Sequence, residues 1–436
     1  MGLAKSYTAP RVAVIAFGIA GVMSRGAHAQ LIQQYFPADI PGYATGFSPS
    51  VTDRMDLQEQ AEGVEVGDFV VKPSLAESVG YDSNTLGASH SGSSEIDSNA
   101  ALRINSDWDR DAIGGSFSVD DHRYLALPSA SFRNWTAGLG GALNLGNDTA
   151  TLAYSHSALN LTATDLGVFG IQAPVPYSVD DVRASYLRLF GRFSLTPSFE
   201  FENFSFGQSH GTIHVNYDSL NHQSESGALM ARYEFSPGDS AVETLRVSQA
   251  QFSIAPSSNY SDIQELLGLE FRGDGVIQYR ALGGIEHRKF SQAGAKTLNT
   301  PTFELEAVWT PTELDTVTLT GTRQLDDPTS PFAAGSTATD GRVELDHELR
   351  TNVFVLVNAE AGHSDARPSV TGLNSINQTE FAFGASAIWD LNRNLRGTLT
   401  YGYNSRMTEN KATPLSAAGS GNFTSNIILL GVSIFE

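Results

Sequence analysis

From residue 68 to the C-terminus the chain alternates, position by position, between large apolar residues and small or polar ones. Residues 381–389 show the pattern. Phe381, Phe383, Ala385, Ala387 and Trp389 hold one phase, and Ala382, Gly384, Ser386 and Ile388 hold the other. A period of two belongs to a strand, whose successive side chains leave opposite faces, and not to an amphipathic helix with its period of 3.6. The residues Asp390 to Asn394 then turn the chain into a second alternating segment, so the stretch reads as a hairpin with two different faces.

The same reading along the chain predicts about 18 strands: 68–82, 94–108, 111–121, 132–146, 148–160, 178–190, 193–206, 223–236, 240–252, 261–272, 275–290, 300–310, 314–324, 341–350, 352–362, 378–390, 394–404 and 424–435. A count of 16 is the alternative. The connections sort by end. Those at 109, 145, 191, 236, 272, 310, 350 and 390 are short, whereas 161–177, 207–222, 325–340, 363–377 and 405–423 are long and polar. A soluble β-sandwich has no reason to sort its loops this way. An antiparallel, up-and-down transmembrane β-barrel in the bacterial outer membrane does, with tight periplasmic turns and long extracellular loops. After residue 29 there is no stretch of 18 apolar residues that could form a membrane-spanning helix.

One phase of each strand is nearly free of charge. Trp135, Ala137, Leu139, Gly141, Leu143 and Leu145 oppose Thr136, Gly138, Gly140, Ala142 and Asn144, and Phe303, Leu305, Ala307 and Trp309 oppose Glu304, Glu306 and Val308. The segment 353–361 repeats the arrangement, with Asn358 and Glu360 on its polar phase. The uncharged phase is expected to face lipid, where Arg or Lys at mid-depth costs roughly 2–4 kcal/mol. On this reading Leu139→Arg should impair assembly and Gly140→Arg should be better tolerated. Trp108, Trp309 and Trp389 fall beside short turns and Trp135 at the opposite strand end, as aromatic girdles at two membrane interfaces would; Tyr186, Tyr233, Phe235 and Phe271 add to the turn-side belt. Filling the core of a soluble sandwich is the competing role for these aromatics. In the last strand Ile428, Leu430, Val432 and Ile434 share one phase, but Ile427, Leu429 and Phe435 share the other, which leaves its register open.

The charged phase is expected to line a water-filled lumen. It carries Arg103, Arg183, Glu200, Glu202, Arg232, Glu234, Glu270, Arg272, Arg280, Glu286, Arg288, Glu304, Glu306, Glu360 and Arg396. Mixed rings of Arg and Glu can set a preference for ions or sugars. They can equally pair across strands and only keep the wall hydrated.

Composition narrows the setting. The formal net charge of −21 disfavours nucleic acid as a partner, and the absence of Cys suits a protein that crosses an oxidising compartment without disulfides. Lys5 and Arg11, the apolar run Val12 to Met23 and the small-x-small site Ala27-His28-Ala29 predict a signal peptide over 1–29, whose loss would move the net charge to −24 as three of the 27 basic residues depart. Residues 30–67 hold three prolines and no sustained period, and read as a periplasmic leader, largely unstructured or forming a partial plug. The barrel then occupies 68–436.

Catalytic motifs find little support. There is no G-x-S-x-G, H-E-x-x-H or P-loop. "GHSD" at Gly362 to Asp365 places three rim-hydrolase residue types in a predicted loop, but adjacent side chains diverge and seldom form a triad. The acids Asp326, Asp327, Asp340 and Asp365 fall in predicted loops, where solvated charge is a better reading than divalent-cation binding. Neither a catalytic residue, a metal site nor a cofactor is expected.

Three segments carry a family resemblance: "FVVKPSLAESVGYDSN" from Phe69 to Asn84, "AVWTPTELDTVTLTGTRQ" from Ala307 to Gln324, and "WDLNRNLRGTLTYGYNSR" from Trp389 to Arg406. They resemble the β-barrel porin family of type 2 in its P-S-L then Y-D-S-N first strand, its W-x-P-T turn and its N-R-N-L turn leading to Y-x-Y. The likeness spans essentially everything after residue 65. It implies an outer-membrane channel of a Gram-negative bacterium that takes part in exopolysaccharide or capsule export, with small-solute passage or a structural, adhesive role as alternatives. Lipid, lipopolysaccharide, the barrel-assembly machinery, a polysaccharide and periplasmic export components are the partners it implies. It carries over no catalytic residues.

Overall fold

Eighteen strands pair with their chain neighbours and the last pairs with the first, so the sheet closes on itself. The computed structural model describes residues 40–42, 63–87, 91–162, 171–208, 210–211, 217–273, 275–292, 297–327, 333–368, 376–409 and 422–436. The signal-peptide reading of 1–29 and most of the leader fall outside them. The barrel strands are β1 Phe69–Asp82, β2 Ser93–Ser106, β3 Ala112–Tyr124, β4 Phe132–Asn144, β5 Asp148–Leu161, β6 Val175–Phe190, β7 Phe193–Phe206, β8 His222–Ser236 and β9 Asp239–Phe252. They continue as β10 Tyr260–Phe271, β11 Ile277–Phe290, β12 Leu298–Thr312, β13 Asp315–Asp326, β14 Ala333–Arg350, β15 Val353–Pro368, β16 Ile376–Asn392, β17 Leu395–Glu409 and β18 Phe423–Phe435. Every barrel pairing is antiparallel, and short turns and longer loops alternate around the two rims.

Facing follows the pleat. Leu152, Leu267 and Leu430 are 63%, 65% and 61% exposed, while their neighbours Ala153, Leu266 and Leu429 turn inward and are 2%, 0% and 8% exposed. A continuous band of bare leucine, isoleucine and aromatic side chains would drive a soluble protein to aggregate; against acyl chains it is the matching solvent. Within β18, Ile428, Leu430, Val432 and Ile434 point out, Leu429 points in, and Phe435 lies against the Arg396 guanidinium at 5.3 Å, which settles the register of the last strand.

The sequence reading underestimates β14 and β15. The segments expected at 341–350 and 352–362 run on to Ala333 and Pro368, with Ser336 opposite Ala366 and Thr337 opposite Asp365. Small and polar residues fill both phases of these strand ends, so the apolar-polar contrast fades while backbone pairing continues. The "GHSD" stretch lies inside β15 and not in a loop: Ser364 is buried inward, His363 is exposed with Nδ1 3.1 Å from Thr379 Oγ1, and the pleat sends their side chains to opposite faces. Asp340 and Asp365 likewise stand in strands, and Asp326 ends one.

The turn motifs have local causes. Thr312 Oγ1 accepts from Leu314 N at 3.1 Å and donates to Asp315 at 2.5 Å, and Asn392 Oδ1 accepts from Asn394 N at 2.9 Å. Asn394 Nδ2 also donates to the carbonyl of Phe435 at 2.7 Å, so the N-R-N-L turn fastens the end of the final strand. At the seam β18 pairs with β1 only from Ser74 onward. A short strand, Val64–Val66, covers the edge beyond it, with Val64 opposite Val71 and Val66 opposite Phe69, and the chain reverses at Gly67, whose φ is +62°.

One glycine pair shapes the wall. Gly284 faces Leu266 across β10 and β11, and a Cβ on Gly284 would stand 1.7 Å from the Glu265 carbonyl oxygen; one on Gly268 would stand 1.9 Å from that of Ala281. Strands this close leave room only for the buried Val242, Leu266 and Leu282 cluster beneath. Gly284→Ala is therefore expected to destabilise the barrel by about 1–3 kcal/mol, read by denaturant unfolding in lipid vesicles. Gly283→Ala, whose Cβ would meet nothing within 4 Å, should be close to neutral; equal effects would refute the crowding argument.

Candidate channel lumen

Fourteen of the fifteen charged residues predicted for the lumen stand on the inward phase of a strand, Arg272 lies exposed just past the end of β10, and most of the fifteen are engaged with each other. Arg183 bridges Glu200 at 2.6 Å and Asp181 at 3.2 Å; Arg232 reaches Glu270 at 3.0 Å, which also takes Arg272 at 2.8 Å. Arg280 pairs with Glu306 at 3.5 Å and Arg396 with Asp390 at 2.6 Å, while Arg103 sits opposite Lys72 and Ser116. Arg183–Glu200, Arg280–Glu306 and Arg396–Asp390 join neighbouring strands, the kind of contact that stabilises a sheet face, whereas Arg232–Glu270 reaches from β8 to β10. Arg246, which the sequence list omits, pairs with Glu304 from three strands further on, across the crowded Gly268 and Gly284 region. Among the described residues no ion pair engages Glu202, Glu234 or Glu360, so the wall carries more negative than positive charge.

One side of the lumen is dry. At the long-loop end of β5 to β7, Leu159, Leu161, Val175, Tyr177, Val179 and Phe204 lie on the inward phase and are buried under Tyr217 and Leu220, which a short 3-10 turn at Asp218–Leu220 folds inward from the loop before β8. The sequence reading assigns apolar side chains to lipid and so misses this inner cluster; the signal was the period-two run Val175, Tyr177 and Val179 beside the charged inward Asp181 and Arg183. His222 closes the layer. Its ring is stacked between Phe204 at 4.4 Å and Phe252 at 4.6 Å, and Nδ1 donates to the Leu220 carbonyl at 2.7 Å.

Arg288 fastens the same rim. Its guanidinium is buried over the Tyr260 ring at 3.8 Å, donates to Asp262 at 3.0 Å and to the Leu325 carbonyl at 2.9 Å, and lies 3.3 Å from Asp327 and 3.6 Å from Glu286. Glu286 in turn accepts from the Leu325 backbone N–H at 3.0 Å. Asp327, just past the end of β13, also accepts from the Tyr260 hydroxyl at 2.5 Å and stands 3.5 Å from His222 Nε2. Burial alone would raise the affinity of the Asp327 carboxyl for its proton, but His222 and Arg288 outweigh burial and hold it down at about 2. Asp327 is thus an internal counterion of the rim, and not the solvated loop acid that the sequence suggests.

The opposite side is wet. A recess of about 310 Å³ opens in the inner face of β13 to β15, lined by Thr318, Thr320, Thr322, Asp340, Arg342, Glu344 and Glu360. Thr318, Thr320 and Thr322 stand in register with Glu344, Arg342 and Asp340, so hydroxyls and charges alternate along the recess. Past Asp340 and Glu360 it runs into a narrower groove with Glu380, Asn404 and Arg406, where Arg406 bonds Glu380 at 2.6 Å. The alternation on β14 made Arg342 and Glu344 findable; Asp340 and Arg406 lay beyond the predicted strand ends at 341 and 404. Asp181, Glu200 and Glu202 bring their carboxylates close together, but Arg183 occupies that cluster.

The Trp residues lie on the outer surface near the rims. Trp309 and Trp389 are exposed next to short turns, Trp108 packs against Phe69 at 5.9 Å just past the end of β2, and Trp135 leans on Phe117 and His156 at 6.2 and 5.1 Å.

A closed antiparallel barrel with an apolar outside, a charged inside and loops sorted by rim is an outer-membrane porin-type barrel. The chain belongs to the family described as "Putative beta-barrel porin 2", whose model matches residues 59–434, and the membership places it in the outer membrane. No curated protein matches the sequence. Among solved structures, the Pseudomonas aeruginosa outer membrane protein OpdK is 13% identical at a TM-score of 0.43, covering 84% of this chain and 99% of its own. The siderophore receptor PirA from Acinetobacter baumannii is 7% identical at 0.46, covering 87% and 81%. A structure described as a bacterial polysaccharide outer membrane secretin is 12% identical at 0.36, covering 85% and 99%. Likenesses this distant carry no argument about what passes through this chain.

Proposed function

We propose that the barrel is a conduit across the outer membrane for hydroxyl-rich solutes, and that its solute is an exopolysaccharide leaving the cell. The observation that carries this reading is the recess over β13 to β15, where Thr318, Thr320 and Thr322 alternate with Asp340, Arg342, Glu344 and Glu360. Carboxylates accept and threonine hydroxyls both accept and donate, a donor and acceptor set matched to sugar hydroxyls and able to replace their hydration as a chain moves past. The family resemblance to barrels that accompany capsule and exopolysaccharide export supports the finer step, and the acidic surplus of the wall supports passage of neutral or cationic solutes over small anions.

In a planar bilayer the purified protein is expected to give stepwise conductance with cation preference, and Glu344→Gln together with Glu360→Gln should shift the reversal potential toward anions without altering folding. Deletion of the gene should move polysaccharide from the medium to the periplasm. Unchanged polysaccharide with intact conductance would favour the second reading, a small-solute porin, which liposome swelling with mono- and disaccharides measures. Complete absence of conductance would sink both.

A further inference from the structure

Three residues of the leader lie inside the barrel. Ile40 is 1% exposed and packs on Ala153, the Pro41 carbonyl oxygen lies 2.1 Å from where a Cβ on Gly140 would stand, and a Cβ on Gly114 would stand 3.1 Å from Pro41 Cδ and 3.2 Å from Ile40 Cγ2. Gly42, with φ +100°, approaches so closely that its own Cβ would stand 2.7 Å from that of Ala153. The three wall residues are not scattered. Gly114 pairs with Gly140 and Gly140 with Ala153, so they form one row across β3, β4 and β5, all on the inward phase. The row continues to Asn105 on one side and Arg183 on the other, which bound it with longer side chains. Here the inward phase is stripped to glycine and alanine, and an apolar Ile-Pro-Gly turn fills the notch.

We infer that Ile40–Gly42 is a built-in plug segment, seated in the Gly114, Gly140 and Ala153 notch near the short-turn mouth, and that it narrows the lumen there. The inference rests on the channel reading only for its effect on flow; the seat itself stands on geometry. Two features argue for a designed fit over a chance contact. A side chain at Gly140 would collide with the Pro41 carbonyl and one at Gly114 would press on the Pro41 ring and Ile40 besides meeting Asn105, and the segment supplies the one residue, Gly42, that tolerates both the left-handed conformation and the contact with Ala153. Pro41 contributes a fixed φ and no N–H that would need a partner on a small-residue wall. The seat and the short strand Val64–Val66 both lie at the short-turn end of the barrel.

The chain has no Cys, so an introduced pair can form only one disulfide. In the full-length protein, Ile40→Cys with Ala153→Cys is expected to oxidise to a reducible, faster-migrating species, whereas Ile40→Cys with the lipid-facing Leu152→Cys should not. Gly140→Leu, which fills the place of the Pro41 carbonyl, should abolish that cross-link, and both Gly140→Leu and, in the Cys-free protein, Ile40→Asp, which leaves the barrel wall untouched, should raise single-channel conductance by about twofold or more. Absence of the Ile40–Ala153 cross-link in folded protein would overturn the seat. A cross-link that forms, with conductance unchanged in both Gly140→Leu and Ile40→Asp, would overturn the narrowing. If no variant conducts at all, the channel reading fails while the cross-link still decides the seat.

Discussion

Replacing Arg288 with alanine is expected to cost about 3–5 kcal/mol of folding stability, because it removes the cation from a buried cluster of acids and carbonyl oxygens and leaves the ionised ones without compensation. The magnitude follows from what the guanidinium holds. Asp262 and Glu286 are almost fully buried beside it, Asp327 is ionised well into acid, and the carbonyls of Leu325 and Asp326 turn toward it from the end of β13. Arg288→Lys keeps the charge but loses the planar fork and the stacking on Tyr260, and should recover only part of the loss. Denaturant unfolding in lipid vesicles gives the free energies. Heat-resistant compact migration on gels shows whether the variant folds. A loss below about 1 kcal/mol would mean that water reaches the cluster and screens it.

Leu139→Arg tests the opposite face. Leu139 is 57% exposed on the outer surface of β4, flanked across the sheet by Gly115 and Tyr154, and an arginine there should cost roughly 2–4 kcal/mol and lower the yield of assembled barrel. Its neighbour Gly140 was expected from the sequence to accept arginine because it faces water. The facing is as expected, but the place is taken: the Pro41 carbonyl would lie 2.1 Å from the new Cβ. Gly140→Arg should therefore assemble more readily than Leu139→Arg and release Ile40–Gly42 as it does so. Equal assembly of the two variants would contradict the lipid-facing assignment.

The strands were legible because a bilayer imposes one rule on every one of them. Acyl chains outside and water inside force a contrast at each second residue, and Phe381 to Trp389 display it without any knowledge of partners. Where the rule lapses, legibility lapses with it. Residues 333–340 and 363–368 remain strand although small and polar residues fill both phases, so nothing in their pattern marks the continuation. Val175, Tyr177 and Val179 are apolar on the wrong phase because Tyr217 and Leu220 cover them from within, a contact between distant parts of the chain that no local period encodes. The charged positions could be assigned a face but not a partner: Arg288 finds Asp327 and Arg246 finds Glu304 through the curvature of the wall. Gly114 and Gly140 carried a faint signal, since two inward residues without side chains leave a notch, but only the register that aligns them with Ala153 shows how long it is.

The interior is divided into a sealed flank and a hydrated one, and on the proposed channel reading this would displace the route of a solute from the barrel axis. An ion stripped of part of its shell would find replacement ligands along β13 to β17 and an apolar cluster on the flank capped by Tyr217 and Leu220. Transit would then be eccentric, and a long flexible solute would travel with the same edge always turned to the threonine side.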